Sequence, residues 1–529
     1  MRLAELAKIL ALPRVEKALS TAELTKITAD SRQVVPGAVF VAVRGAVTDG
    51  HNYIAKAVDR GCLAVVAEHC PEVIRGKRIP CFQVQDSHAA LGQLAAAWNN
   101  YPAKKLRLMG LTGTNGKTTV SWLLESILRQ AGFHTGVIGT VNYRFMDRAE
   151  NMIVRPAPLT TPEPLQLQAL LQEMVEAGVS HVILEASSHA LAQKRMAGIA
   201  FDVAVFTNLT RDHLDYHQDM ESYFSAKKLL FTEYMKSSGT AVVVMDGMSD
   251  KEDYGRRLAA ELSGVSVLTV GFGEDCAIRA KKCTQGINGI SCEFIFGQRV
   301  RKISSNMTGS YNVLNMLAAA GAARGLNIPA EQIVAGLLRV GQVPGRLERV
   351  TLPGLPERAM PSVFVDYAHT PDGLEKVLST MKTMTRGRLI CIFGCGGDRD
   401  AGKRTLMGEV AGRLCDVVIL TSDNPRTENP MDIIEETLCG VQEAGMAKRS
   451  VAELFDMDAP LNGFSVESDR KRAIHLACSL SDRGDVVLIA GKGHDQYQII
   501  GREKQFFDDR IEVQNGLAAW TVQHLEQAL

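Results

Sequence analysis

The sequence has no excess of charge of either sign. Its 529 residues include 59 Lys and Arg against 59 Asp and Glu, so the formal net charge is zero. This balance removes the general electrostatic argument for a protein that binds nucleic acid or a membrane surface. Any anion-binding site must therefore be local.

Cysteines are few and scattered. The sequence has 11 of them, an odd number, with no C-x-x-C pair. That pattern argues against a disulfide framework and against a structural zinc site. We therefore expect reduced thiols in a cytosol.

Long apolar runs are also lacking, and no uninterrupted stretch is long enough to span a bilayer. We expect neither a signal peptide nor a membrane anchor at the start of the sequence. Charged side chains interrupt that region at Arg2, Glu5, Lys8, Arg14, Glu16 and Lys17. A cytoplasmic monomer is expected, with neither nucleic acid nor membrane as a partner.

What the sequence does contain is enough apolar residues, 46%, to form sizeable cores, and its length suggests two to four domains. Short apolar runs alternate with helical-period segments, which predicts an α/β fold. Strands are predicted at 38–43 and 62–68, with a helix at 54–60 between them. We expect one boundary after a helix that ends near Pro102 and another near Gly341. The predicted domains are 1–102, 103–341 and 342–529.

The last predicted domain alternates most clearly, with four apolar runs that each end in polar residues. This alternation predicts a parallel, doubly wound sheet whose functional loops follow the carboxyl ends of its strands. Four such loops should converge, at 366–369, 394–399, 422–426 and 491–494.

The strongest local signal is LMGLTGTNGKTTVSWLLESIL, residues 108–128, a strand that enters a Gly-rich turn and leaves as an amphipathic helix. Backbone N–H groups of such a turn bind phosphate oxygens, and we expect Lys117 to reach the β- and γ-phosphates and the Thr118 hydroxyl to ligate Mg²⁺. The spacing departs from the standard phosphate loop, because its glycines are Gly110, Gly113 and Gly116.

Three further candidates have ordinary structural explanations when each is taken alone. Glu185 ends an apolar run, where it can bind a metal or simply be solvated. His213 follows another run, but hard Mg²⁺ prefers oxygen ligands to imidazole. Lys227, in YFSAKKLLF, has the sequence context of a lysine on a helix surface.

Taken together and in order, these residues resemble the ATP-dependent Mur ligases of peptidoglycan synthesis. The resemblance covers nearly the whole chain. It is carried by ten motifs: TGTNGKTT, TTPEP, EASSHAL, NLTRDHLDYH, YFSAKKLLF, GSYNVLNMLAA, GRLE, DYAHTPD, GCGGDRDAGKR and AGKGHD. It implies an N-terminal α/β domain that binds a UDP-sugar, a central ATPase domain with a parallel sheet, and a C-terminal Rossmann-like domain.

The resemblance also implies site residues. Thr118 and Glu185 would hold one Mg²⁺, while His213 and Lys227, carbamylated by CO₂, would hold a second. Lys117, Lys227, His213 and Glu185 would be catalytic. ATP would be bound by Gly113, Thr114, Asn115, Gly116, Lys117, Thr118, Thr119, Asn312, Asn315, Arg346, Asp366 and His369. UDP-N-acetylmuramoyl-L-alanyl-D-glutamate would be bound by Ser31, Thr160, Thr161, Ser187, Gln193 and Arg195.

The third substrate is indicated by the tetrapeptide DNPR, which resembles the motif of the family members that add meso-diaminopimelate. Its recognition would involve Arg399, Asp423, Asn424, Pro425, Arg426, Gly491 and Asp495. An arginine fork suits the distal carboxylate that lysine lacks. Asp495 is a departure, since the family more often has Glu at that position.

The activity implied is ATP-dependent amide synthesis through an acyl phosphate at the D-glutamate γ-carboxylate. A lysine-adding ligase of the same family is the nearest alternative. Folylpolyglutamate synthetase shares the nucleotide motif, but the DSR and SSHAL contexts favour the muramoyl substrate. A phosphate-loop switch or motor would not need the third domain with its four polar loops.

Overall fold

The computed structural model describes residues 1–12, 21–45, 48–74, 79–245, 253–355, 359–455 and 462–526. Its helices are α1 Leu3–Ile9, α2 Ile54–Asp59, α3 Ser87–Trp98, α4 Lys117–Gln130, α5 Pro164–Glu176, α6 Ser188–Ala192, α7 Leu214–His217, α8 Met220–Thr232, α9 Tyr254–Glu261, α10 Ser310–Gly325, α11 Ala330–Leu338, α12 Pro371–Met384, α13 Gly402–Leu414, α14 Pro430–Glu443, α15 Val451–Phe455, α16 Arg470–Leu480 and α17 Asp509–Glu526.

The strands form three main sheets and a hairpin. They are β1 Lys26–Thr28, β2 Ala38–Val41, β3 Ala64–Ala67, β4 Cys81–Gln83, β5 Arg107–Thr112, β6 Thr135–Ile138, β7 Asn142–Met146, β8 Met152–Pro156, β9 His181–Glu185, β10 Phe201–Phe206, β11 Met235–Met245, β12 Ser266–Gly271, β13 Ile278–Gly286, β14 Gly289–Phe296, β15 Arg299–Ser305, β16 Glu348–Val350, β17 Ser362–Asp366, β18 Leu389–Phe393, β19 Val417–Leu420, β20 Gly463–Val466, β21 Val486–Ala490, β22 Tyr497–Ile500 and β23 Glu503–Phe506.

The first sheet has the order β1-β2-β3-β4, and all its pairings are parallel. The strands predicted at 38–43 and 62–68 are β2 and β3, and the helix predicted between them is α2. β2 and β3 are buried along their whole length, as expected of parallel strands that are covered on both faces.

The expectation that all cysteines are reduced thiols is wrong for one pair in this region. Cys70 and Cys81 form a disulfide, with their Cα atoms 6.1 Å apart. They lie 11 residues apart in sequence, in no spacing motif, and become neighbours because β3 pairs with β4 in parallel. Pairing across a sheet is a tertiary effect that cysteine spacing does not reveal.

The central sheet has eleven strands in the order β15-β14-β13-β12-β11-β10-β5-β9-β6-β7-β8. Strands β5, β6 and β9 to β13 run parallel, and antiparallel strands extend both edges. One face packs against α4, α10 and α11, and the other against α5 and α8. β5 and β9 are neighbours, so the loops at their carboxyl ends emerge side by side.

The third sheet has the order β16-β17-β21-β18-β19-β20 and is parallel apart from the edge strand β16. The four predicted strands are β17, β18, β19 and β21, and the runs of β21 and β18 are wholly buried. The carboxyl ends of these parallel strands lie at one edge of the sheet. The sequence did not predict β20, whose four residues, GFSV, carry a weak strand signal.

The predicted boundaries near residues 102 and 341 fall between sheets, since β5 begins at Arg107 and β16 at Glu348. The domain limits themselves remain predictions. In the part of the chain that the structure describes, no helix combines the length and the apolar character needed to cross a bilayer.

Candidate active site

The phosphate loop connects β5 to α4 in the backbone conformation that its glycines allow. Gly113 has φ 144° and Gly116 has φ 88°, both in the region that disfavours side chains. A Cβ atom on Gly113 would lie 1.9 Å from Thr207 Oγ1, and one on Gly116 would lie 2.3 Å from Asn315 Oδ1. Only glycine fits at these two positions, because the loop packs directly against neighbouring polar side chains.

Lys117, the first residue of α4, is turned back into this loop. Its Nζ donates to the carbonyl oxygens of Gly113 (2.8 Å) and Thr114 (2.9 Å). Burial lowers the pKa of the ammonium below its ordinary value. The lysine therefore lies where the loop amides and the N-terminus of α4 can bind a phosphate.

Glu185 lies at the end of β9, next to the phosphate loop. Its Oε2 accepts hydrogen bonds from Thr118 Oγ1 (3.2 Å) and Thr140 Oγ1 (2.7 Å). The carboxylate is almost fully buried, at 1% exposure. Hydroxyl and carboxylate oxygens are common ligands of Mg²⁺, so Thr118 and Glu185 fit the predicted first metal site.

Lys227 is not on a helix surface, because α8 turns it against the central sheet. It is 1% exposed, and its Nζ donates to the Gly113 carbonyl (2.9 Å) and lies 4.4 Å from the centre of the Tyr223 ring. Burial and the nearby Lys117 ammonium hold the pKa of Lys227 well below its ordinary value. A neutral amine is the form that reacts with CO₂, so this environment fits the predicted carbamate.

His213 caps α7 with a left-handed backbone, φ 54°. Desolvation lowers the pKa of its imidazole to about 4, which keeps the ring neutral and able to ligate. Its Nε2 lies 3.4 Å from Asp212 Oδ2, and its ring meets that of His189 edge-on. Within the described ranges, no three His, Cys, Asp or Glu side chains form a metal cluster.

Most of the predicted muramoyl-binding residues gather beside Glu185. Thr161 Oγ1 donates to the Glu185 carbonyl (2.7 Å), and Ser187 N donates to Thr161 Oγ1 (3.1 Å). Arg195 Nη1 donates to the Thr161 carbonyl (3.0 Å), and its Nη2 donates to Gln193 (2.7 Å).

Two other predicted muramoyl-binding residues differ in position. Thr160 lies in the same group, with its Oγ1 3.1 Å from Thr140 Oγ1. Ser31 lies apart from it, buried beside the first sheet at the start of a short 3-10 turn.

A cavity of about 240 Å³ opens between the start of α10 and the segment that leads into β16. Its wall includes Met307, Thr308, Asn312, Gln342, Arg346 and Phe364. Asn312 Nδ2 donates to the Thr308 carbonyl (2.6 Å), and Asn312 Oδ1 accepts from Asn315 Nδ2 (2.9 Å). Asn312 thus faces the cavity, while Asn315 lies against Gly116.

The third sheet reaches this site through Arg346. Arg346 Nη2 donates to Thr118 Oγ1 (3.2 Å), and the guanidinium lies 4.4 Å from the centre of the Tyr367 ring. A second link is Asn115 Nδ2, which donates to Asp372 Oδ2 (3.2 Å). The phosphate loop and the third sheet therefore face a common site.

Two other residues predicted to bind ATP come from the end of β17. Asp366 accepts from the backbone N–H groups of Leu347 (2.6 Å) and Ala368 (2.7 Å), and burial raises the pKa of its carboxyl. His369 Nδ1 lies 2.8 Å from the Tyr367 carbonyl oxygen, and Lys403 Nζ donates to the His369 carbonyl (2.9 Å). Asp366 thus supports the loop that carries Arg346.

The loops after β18 and β19 pack tightly together. Arg426 has a left-handed backbone, φ 52°, and its Nη1 donates to the Gly397 carbonyl (2.7 Å). Burial and the positive charge of Arg399 lower the pKa of Arg426. A Cβ on Gly397 would lie 1.9 Å from the Pro425 carbonyl oxygen, so the two loops touch through their backbones. Two arginines are thereby set side by side.

The loop after β21 lies across from Asp423. A Cβ on Gly491 would lie 3.7 Å from Asp423 Oδ2. Desolvation raises the pKa of Asp495 to about 6 against the lowering effect of Lys492. The structure thus brings the loops that hold Asp423, Arg426 and Asp495 to one edge of the third sheet, as the strand order requires.

Comparison with known proteins gives matches over most of the chain. The Mur ligase catalytic domain matches residues 23–99, the Mur ligase middle domain matches 111–323, and the Mur ligase glutamate ligase domain matches 345–493. A protein of Geobacter sulfurreducens named UDP-N-acetylmuramoyl-L-alanyl-D-glutamate–2,6-diaminopimelate ligase is 43% identical, over 97% of this chain and 98% of its own length. The chain belongs to the Mur ligase family.

Two further relatives carry the same name. One, from Thermosynechococcus vestitus, is 40% identical over the full length of both chains. A solved structure of such a ligase is 29% identical, covers 99% of this chain and 100% of its own, and has a TM-score of 0.66. The predicted three-domain α/β architecture of the Mur ligases is confirmed.

Some residues of this Mur ligase site were not predicted from the sequence. Thr140 bonds Glu185, Asp372 bonds Asn115, and Arg404 joins Glu428 (2.8 Å) beneath the loop after β18. Lys492 Nζ donates to Asp423 Oδ1 (3.3 Å). Lys492, Arg404 and Asp372 lie inside the motifs AGKGHD, GCGGDRDAGKR and DYAHTPD and could have been singled out, whereas Thr140 carries no local signal.

Proposed function

We propose that this Mur ligase couples ATP cleavage to amide synthesis, joining meso-2,6-diaminopimelate to the D-glutamate γ-carboxylate of UDP-N-acetylmuramoyl-L-alanyl-D-glutamate. The contact of Arg346 with Thr118 carries the proposal, because it links the phosphate loop to the sheet whose loops hold Arg399 and Arg426. A nucleotide enzyme without a second substrate has no need of that arrangement. The names of the relatives support the same assignment.

The chemistry begins with a carboxylate that is inert toward amines at neutral pH. An oxygen of the γ-carboxylate attacks the γ-phosphorus of ATP, the bond to the β-phosphate bridging oxygen breaks, and ADP leaves. Lys117 lies in the phosphate loop, where its ammonium offsets the charge that develops on the transferred group. The product of this step is an acyl phosphate.

The residues of the site fit two magnesium ions. Thr118 and Glu185 would hold one, and His213 with carbamylated Lys227 would hold the other. When bound, the ions neutralise phosphate charge and orient the oxygens of the triphosphate and of the carboxylate. The carbamate would form by addition of CO₂ to the neutral Lys227 amine with loss of one proton.

Amide formation follows when the substrate ammonium releases one proton to solvent and the amine attacks the acyl carbon, its nitrogen losing a second proton as the C–N bond forms. The tetrahedral intermediate collapses as the bond to phosphate breaks, and inorganic phosphate leaves. Arg346 and the Asn115–Asp372 contact hold the third sheet over the phosphate loop, which keeps water from the acyl phosphate.

Substrate recognition is divided between the domains, which we set at 1–102, 103–341 and 342–529. We assign the muramoyl dipeptide to Ser31, Thr160, Thr161, Ser187, Gln193 and Arg195. We assign diaminopimelate to Arg399, Asp423, Asn424, Pro425, Arg426, Gly491 and Asp495. We further propose that the enzyme acts as a cytoplasmic monomer, where its co-substrate ATP is available.

The test is a phosphate-release assay with the muramoyl dipeptide, ATP, Mg²⁺ and a panel of amino acids, with product masses determined. We expect phosphate release only when acceptor and amine are both present, and a product that contains diaminopimelate. Equal use of L-lysine would replace the specificity claim by the lysine-adding alternative. Phosphate release that needs neither acceptor nor amine would contradict the ligase assignment.

A further inference from the structure

Lys492 is a buried cation at the centre of the proposed amino-acid site. It follows β21 and Gly491, and its side chain is 0% exposed. Its Nζ lies 3.3 Å from Asp423 Oδ1 and 3.2 Å from Asn424 Oδ1. One ammonium therefore bonds to the side chains of the first two residues of the DNPR tetrapeptide.

These bonds determine which polar atoms of Asp423 and Asn424 remain available to bind a substrate. Asn424 Oδ1 also accepts from the backbone N–H of Ile499 (2.9 Å), so its amide oxygen has two donors. Among the hydrogen bonds of the described residues, Asn424 Nδ2 donates to none, which leaves its two protons for a carboxylate. Asp423 has one oxygen bonded to Lys492 and a second, Oδ2, that faces Gly491.

The backbone that precedes Lys492 is held in place by separate contacts. Arg470 Nη2 donates to the carbonyl of Ala490 (3.0 Å), and Arg470 pairs with Asp509 (2.7 Å), both side chains being 0% exposed. Arg470 therefore holds the last residue of β21, two positions before Lys492, in place. Because the backbone before Lys492 is fixed and its ammonium is bonded to both Asp423 and Asn424, the side chain has little freedom to move toward a ligand.

We propose that Lys492 is a positioning residue for the amino-acid substrate, one that sets the orientation of Asp423 and Asn424 without contacting the substrate itself. The inference rests on the proposed function, because it assumes that these two side chains bind the amino acid. Its ammonium orients Asp423 Oδ2 toward the substrate ammonium and Asn424 Nδ2 toward a substrate carboxylate.

The test is Lys492→Met, which keeps most of the side-chain volume and removes the charge and the donors. We expect the KM for meso-diaminopimelate to rise roughly 30-fold or more, because Asp423 and Asn424 lose their common partner. The KM values for ATP and for the muramoyl dipeptide should stay within about twofold, since the phosphate loop is untouched. In Lys492→Gln, which retains one donor group, the rise should be smaller, about tenfold.

The matched control is Arg388→Met, which breaks a largely buried ion pair at the opposite, amino-terminal ends of the strands of the same sheet. Arg388 Nη2 lies 2.8 Å from Asp485 Oδ2, and these residues precede β18 and β21. Its loss should lower the melting temperature while leaving the KM for diaminopimelate unchanged. A purely structural Lys492 would behave in the same way.

The outcomes separate the two claims. Wild-type enzyme that does not use diaminopimelate contradicts the proposed function. Wild-type enzyme that uses it, with an unchanged KM in Lys492→Met and only a lower melting temperature, overturns the positioning role. If Lys492→Met does not fold, the KM of Lys492→Gln decides: a selective rise supports the role, and a wild-type value overturns it.

Discussion

The phosphate loop and the amino-acid loops each contain buried lysines, but the charges are balanced differently. Lys117 and Lys227 both donate to the Gly113 carbonyl, and in the described part of the chain neither forms an ion pair. Lys492, which is as fully buried as Lys227, lies 3.3 Å from the carboxylate of Asp423. At the phosphate loop, Glu185 and Asp212 act on Lys117 only from beyond ion-pair distance, whereas Lys492 is paired directly with a carboxylate.

This difference indicates whether the lysines of each region act on a ligand or on neighbouring side chains. Burying an ammonium without a counter-ion is costly, and the lowered pKa values of Lys117 and Lys227 reflect that cost. We expect phosphate oxygens to pair with Lys117 when ATP binds, and in the proposed enzyme a carbamate replaces the amine of Lys227 and removes its positive charge. The Lys492 charge has its partner within the protein, so it can orient side chains before any ligand binds.

The largest effect is expected from substitution of Lys117. Lys117→Ala should lower the rate of acyl-phosphate formation by on the order of 10³-fold, because the charge is needed most on the transferring phosphoryl group. The measurement is trapping of the acyl phosphate by reduction with borohydride. Lys104→Ala, at an exposed lysine over the Tyr101 ring, is the control and should trap normally. Trapping at the wild-type rate in Lys117→Ala would refute the role.

Lys227→Ala should lower turnover by about 10²-fold. A short carboxylate such as formate or acetate should restore part of the activity, because it can supply the oxygen ligands of the absent carbamate. The adjacent Lys228 pairs with Glu261 at 2.7 Å on the outer face of α8, so Lys228→Ala is a matched control with near wild-type turnover. Wild-type turnover in Lys227→Ala would show that the second metal site is assigned wrongly.

On the other side of the comparison, Arg426→Ala should reduce kcat/KM for meso-diaminopimelate by about 30-fold or more, the equivalent of roughly 2 kcal/mol or above. The loss leaves a substrate carboxylate without its cation, and lysine, which lacks that carboxylate, should be used no better than before. Competition between the two amino acids measures the effect. Arg413→Ala, which breaks an exposed pair with Glu375, should leave the competition unchanged.

Sequence motifs located the loops after β17, β18, β19 and β21 well, because each follows a strand that is buried over all or nearly all of its length and parallel strands end at one edge. They did not reveal the burial of Lys227, since its helical context, YFSAKKLLF, reads equally well as a surface. Nor did they reveal Thr140, which lies between β6 and β7 and which only the tertiary fold brings to Glu185. Asp372 lies inside the motif DYAHTPD, but its contact with Asn115 could not be predicted from the sequence. The Cys70–Cys81 bond was missed for the same reason.

The smallest expected effect concerns the pH dependence of the amino-acid site through Asp495. Desolvation raises the pKa of its carboxyl from 3.8 to about 6. Below that pH the group is neutral and attracts a substrate ammonium less, so kcat/KM for diaminopimelate should fall on the acid side with an apparent pKa near 6. Asp495→Asn should remove this acid limb and lower kcat/KM above pH 7 by up to about tenfold.

Stability should change in the opposite direction. Because the folded state raises the carboxyl pKa, it binds the proton more tightly than the unfolded state does. The contribution of Asp495 to the free energy of unfolding should therefore decrease as pH rises from about 4 to about 6, the interval in which kcat/KM increases.

Other charged and titratable groups also face this carboxyl, and they are Arg346, Tyr367, Asp423, Lys492, His494, Tyr497 and Lys504. His494 is the group that most needs separating from Asp495, since histidines commonly titrate near pH 6. Its desolvation lowers its pKa to about 3, so it stays neutral throughout the acid limb. An acid limb that persists unchanged in Asp495→Asn would assign the titration to another group and remove Asp495 from the amine-binding site.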